Sequence, residues 1–119
     1  MQDNVDIYTR ALIRVIQDSR EYREFCEAKR KIADMPELKK QINEYRKETF
    51  RLQNFGDEES LYDRIQEFNA QHVQFRRDPL VNEYLSSELA VCRMLQKISA
   101  SVMESVDLEL DDVARGIRS

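Results

Sequence analysis

Tryptophan is absent from this chain, histidine occurs once, and glycine, proline and cysteine occur twice each. Each scarcity removes a class of function. Two separated glycines cannot build a phosphate-cradling loop of the GxGxxG or P-loop kind. Cys26 and Cys92 stand alone, which fits neither a zinc site nor a CxxC redox motif. Both lie in apolar helical stripes, where a free cysteine behaves as a small core hydrophobe, so both are expected as buried thiols in a reducing cytoplasm. No run approaches ~18 consecutive apolar residues, so no membrane insertion is expected. The opening MQDNVDIYTR has neither the basic nor the apolar region of a secretion signal. A basic excess is missing too: 19 Lys+Arg stand against 23 Asp+Glu, for a net charge of −4, which argues against a nucleic-acid-binding surface.

What is present is helix-forming sequence with helical periodicity. Period-2 alternation is nowhere sustained, and the 119 residues suit one all-α domain over 1–119. Pro36, Gly56 and Pro79 punctuate it. Asp34 and Asp78 ahead of the two prolines read as helix starts, since a carboxylate caps free N–H groups and proline suits the first turn. Gly56-Asp57 reads as a C′ glycine followed by the next N-cap. The N-terminal region, 3–34, carries Val5, Tyr8, Leu12, Val15 and Ile16 on one face, then Tyr22, Phe25, Cys26 and Ile32. Asp18 with Glu21, or Ser19 alone, offers a cap at which a second helix would begin; one bent helix or two remain open.

The region 36–77 reads as a helical hairpin. Leu38, Ile42, Tyr45, Thr49 and Leu52 recur at spacings of 4, 3, 4, 3, and so do Leu61, Ile65, Phe68, His72 and Phe75. This is coiled-coil patterning. A short turn at Gly56 makes the two helices antiparallel neighbours, pairing Leu52 with Leu61, Thr49 with Ile65, Tyr45 with Phe68, Ile42 with His72 and Leu38 with Phe75. Phe50, Phe55, Tyr62 and Val73 fall off this seam and require a second neighbour.

The organising helix is expected at 78–106. On a helical wheel its apolar side chains span about 220°, against about 100° for an ordinary surface helix. Such an arc has to be covered on more than one side. Val81, Tyr84, Leu85, Glu88, Val91, Cys92, Leu95, Ile98 and Val102 are therefore the candidate interface, part of it for the hairpin and part for a partner. Glu88 sits in the middle of the arc, where a carboxylate is costly unless paired; Arg, a Tyr hydroxyl or His72 would serve. No second acid, His or Cys lies one turn away on that face, so no metal site is expected. Catalysis by Glu88 with His72 would need a nucleophile and an orienting group that the sequence does not place. Residues 107–119 lose the pattern and read as a tail.

The segment RRDPLVNEYLSSELAVCRMLQKI (Arg76–Ile98), with the hairpin before it and the DMPEL helix start at Asp34–Leu38, resembles the YlbF/YmcA family of small helical regulators of Gram-positive bacteria. The resemblance covers most of the chain in helix order, and its DPLVxEYLxxELxxCRML block is the specific part. It implies an all-helical, non-enzymatic protein that forms homo- or hetero-oligomers through helical faces. It further implies a complex supporting competence, sporulation and biofilm formation, acting with an endoribonuclease that processes mRNA. Some members hold iron–sulfur clusters with a cysteine-rich tail; this chain ends in GIRS without one, so no cofactor is expected. The alternative is a direct RNA-binding accessory protein using the basic residues between Lys29 and Lys40.

Overall fold

The computed structural model describes residues 3–55 and 58–106. Six helices follow one another: α1 (Asn4–Gln17), α2 (Arg20–Ile32), α3 (Pro36–Phe55), α4 (Glu58–Gln71), α5 (Val73–Arg77) and α6 (Pro79–Ser105). The described residues contain no strand, and the fold is all-α. The turn expected at Gly56-Asp57 and the tail expected at 107–119 lie outside the described residues.

Side-chain caps set the boundaries. Asp3 accepts a hydrogen bond from the Asp6 amide at 2.9 Å and starts α1. Ser19 accepts from the Tyr22 amide at 3.2 Å, while its hydroxyl donates to the Ile16 carbonyl at 2.6 Å. One side chain thus closes α1 and opens α2, and two helices precede Asp34. Asp78 accepts from the Leu80 amide at 2.9 Å with Pro79 in the first turn of α6, the arrangement its Asp-Pro step favours.

The core is built where α2 crosses α6. Ala28 and Ile32 of α2, Ile42 of α3, and Val81 and Tyr84 of α6 form one buried cluster, with Phe25, Leu38, Phe75, Leu80 and Leu85 packed around it. Ala28 is the small residue at this crossing and lets α2 approach α6 closely. Phe25 meets Tyr84 edge to face at 5.4 Å, and Lys31 pairs with Glu83 at 2.9 Å.

α3 meets α4 through Tyr45 and Phe68, whose rings are tilted by 32° with centroids 5.1 Å apart. The continuous helix expected over 57–77 is instead broken at His72, which separates α4 from α5. The His72 ring nitrogen Nδ1 lies 2.8 Å from the Phe68 carbonyl, which the His72 amide also approaches at 3.2 Å. A side chain bonded to the carbonyl one turn back competes with the helical ladder. Past the break, His72 and Phe75 both turn onto Tyr45, at 5.2 and 5.5 Å. The seam is therefore an aromatic knot on Tyr45 and not a uniform ladder. Ile42, expected opposite His72, is instead spent on the α2–α6 core.

The assembly is open. Its radius of gyration is 18.9 Å, against about 13.5 Å for a compact chain of this length.

Candidate functional site

The wide apolar arc of α6 divides lengthwise and by height. Its N-terminal half is covered within the chain: Val81 is fully buried, Tyr84, Ser87 and Val91 are buried, and Leu85 and Glu88 are half-buried. From Cys92 onward the same face opens to solvent, with Ile98 still half-buried on its edge. Cys92 is exposed, as are Leu95 at 46%, Val102 and Met103 at 53% each, and Leu89 on the flank. The physical cause is length. α6 has 27 residues and its main neighbour α2 has 13, so α2 covers about half of it. The buried thiol expected at Cys92 is thus corrected, because its face lies beyond the covering helices; Cys26 is half-buried.

Glu88 marks the border between the two halves. Arg46 Nε of α3 comes within 2.8 Å of Glu88 Oε2, and the same guanidinium lies over the Tyr84 ring at 5.9 Å. The Glu88–Arg46 contact is an ion pair without hydrogen-bond alignment: Oε2 is buried and no donor is aimed at it. Burial pushes the Tyr84 phenol above its ordinary range, with Arg46 opposing the rise and Glu88 adding to it. Between α3 and α6, Arg46, Thr49, Phe50, Leu85, Glu88 and Cys92 line a cleft of about 800 Å³. His72, meanwhile, sits with Tyr45, Phe68 and Phe75. Glu88 and His72 are thus engaged in separate clusters, each with a structural partner.

In the hairpin set, Ile42 is buried, while Leu38, Tyr45, Leu52, Leu61, Phe68, His72 and Phe75 are half-buried. Ile65 is exposed, and so are Tyr62 and Val73. The basic residues proposed for RNA are largely occupied: Arg30 pairs with Glu27, Lys31 with Glu83, and Lys29 lies over the Phe25 ring at 5.4 Å. Among the described residues no group of three side chains converges as metal ligands, and no helix is long and apolar enough to cross a membrane.

Two features escaped the sequence reading. Arg46 sits on the flank of α3 with no local signal pointing to α6. The α1 stripe is legible as a stripe but not as an uncovered one; in the structure none of its residues is buried, and Tyr8 is 73% exposed.

The geometry is that of a helical interaction module with its organising helix half covered. The chain belongs to the YlbF/YmcA family: the model described as "Control of competence regulator ComK, YlbF/YmcA" matches residues 7–107. Membership places it among regulators. It is also similar to a UPF0342 protein of Caldicellulosiruptor saccharolyticus, 29% identical over 101 residues, covering 82% of this chain and 83% of the relative. A UPF0342 protein of Caldicellulosiruptor bescii is 25% identical over 100 residues, covering 82% and 84%. No solved structure matches.

Proposed function

We propose that this protein is a non-catalytic, cytoplasmic regulatory adaptor that oligomerises and binds protein partners through the open half of α6. Its partners are copies of itself and other proteins of its family or of an mRNA-processing endoribonuclease complex. The observation that carries this reading is the contrast along one helix face. Val81 is fully buried, whereas Leu95 and Val102, on the same apolar arc, stand about half exposed. A contiguous apolar strip of this kind marks an interaction surface. Membership of a competence-regulator family supports the regulatory role.

Light scattering on the purified chain from about 1 to about 100 µM tests the oligomer, because self-association shows as a concentration-dependent mass. A strict monomer across that range sinks it. For the partner role, Leu95→Glu with Val102→Glu is expected to abolish co-purification of the native complex while leaving the fold intact.

A further inference from the structure

Resting on the adaptor reading, we propose that α1 is a docking arm: its apolar face seats on the open strip of α6 in a second copy of this chain. Val5, Tyr8, Leu12 and Val15 form that face. Their spacing of 3, 4, 3 recurs on α6 at Cys92, Leu95, Ser99 and Val102, so the two strips match residue for residue. Both are uncovered within the chain. Tyr8 is 73% and Val15 66% exposed, no residue of α1 is buried, and α1 packs chiefly against α2. A helix of 14 residues is marginal in water without a packed face, so α1 gains most from a cover.

Surface area fits a second copy as the occupant. The chain exposes 10066 Å², where a compact chain of its mass exposes about 6800 Å². Granting the residues outside 3–55 and 58–106 the full area of an extended chain, about 2800 Å², still leaves an excess of about 1200 Å² over a compact remainder. A stable interface takes about 800 Å² from each partner. A two-fold pair of chains meets this demand with one contact used twice, α1 of each on α6 of the other, which leaves neither strip open.

Charge narrows it further. On the helical wheel Asp6, Arg10 and Arg14 lie on the back of α1, and Arg93, Lys97 and Glu104 on the back of α6. Neither strip carries a charge, so the cover is an apolar helix face and not an ion-paired ligand.

The test uses the full chain. Wild type is expected as a dimer by light scattering. Tyr8→Glu with Leu12→Glu, and separately Leu95→Glu, are each expected to weaken it about 100-fold or more, with unchanged far-UV circular dichroism because the altered side chains lie outside the core. A register check follows. In a Cys26→Ser background, chains with Cys92→Ser and either Val5→Cys or Val15→Cys are mixed with chains keeping Cys92. A mixed disulfide between the two chain types supports the arm, and the position that pairs gives its direction. A dimer that survives the α1 changes, or disulfides only between like chains, overturns the arm and leaves the adaptor reading standing. A wild-type monomer overturns both. A monomer that co-sediments through α1 with phosphatidylglycerol vesicles assigns α1 to lipid and also overturns the proposal.

Discussion

Arg46 of α3 reaches across to α6 and brings its Nε within 2.8 Å of the half-buried Glu88 carboxylate. This contact ties α3 to α6 at the point where the α6 face turns from covered to open.

Removing the cation should therefore cost more than removing the acid. Arg46→Ala leaves Glu88 Oε2 buried and uncompensated, and about 1–2 kcal/mol of destabilisation is expected, between the values for exposed and fully buried pairs. Glu88→Gln keeps the shape and sheds the charge, so a smaller loss is expected. Urea denaturation of the two single variants and the double variant reads the coupling. Strict additivity would show that the pair contributes nothing.

The crossing of α2 and α6 should be intolerant of volume change in either direction. Val81→Ala opens a cavity at a fully buried position, for an expected loss of about 2 kcal/mol. Ala28→Leu overfills the close approach and is expected to cost about 1–3 kcal/mol. Leu95→Ala, on the open half of α6, should change the stability of the monomer by less than about 0.5 kcal/mol. Equal losses at Val81 and Leu95 would contradict the division of the helix face.

Stability should fall in base through Tyr84. Burial raises its phenol pKa in the folded state, so the unfolded chain ionises first, near its ordinary value of about 10. The contribution is complete below that pH and is lost as pH rises through the folded value. Tyr84→Phe has no such group, and its denaturation midpoint should fall less steeply between about pH 9 and about pH 11. Parallel profiles for the two proteins would refute the assignment.

The two thiols should differ in accessibility. Cys92 is exposed and Cys26 half-buried, so a maleimide should modify Cys92 about tenfold faster or more in the monomer. Once chains associate through α6, Cys92 should become protected and Cys26 unaffected. Mass spectrometry of timed labelling at low and high protein concentration checks both statements.

Capping should account for the junction of α1 and α2. Ser19→Ala removes the acceptor of the Tyr22 amide and the donor to the Ile16 carbonyl, with an expected loss of about 1 kcal/mol. Ser19→Asp, which restores the acceptor, should recover most of it. Equal stability of wild type and Ser19→Ala would show that packing and not the cap sets this boundary.

Helices were legible wherever the physics is local. Asp-Pro at 78–79 announced α6, and the stripes at spacings of 3 and 4 announced which faces are apolar. The break at His72 was not, because it depends on one ring bonding the Phe68 carbonyl while the chain turns onto Tyr45. Glu88 was recognisable as a carboxylate in need of a partner. That the partner is Arg46 follows only from how α3 is laid against α6.

By itself, then, the sequence determined an all-α chain, the Asp78 cap of its longest helix, the over-wide apolar arc of α6 and the family to which these belong, since propensity, capping and periodicity act within a few residues of each other. Tertiary structure alone decided how that arc is used. Apolar spacing states that a face must leave water without stating what covers it. The short α2 packs on Val81 and Tyr84 and stops, leaving Cys92, Leu95 and Val102 open, and the equally regular stripe of α1 is left with no buried residue.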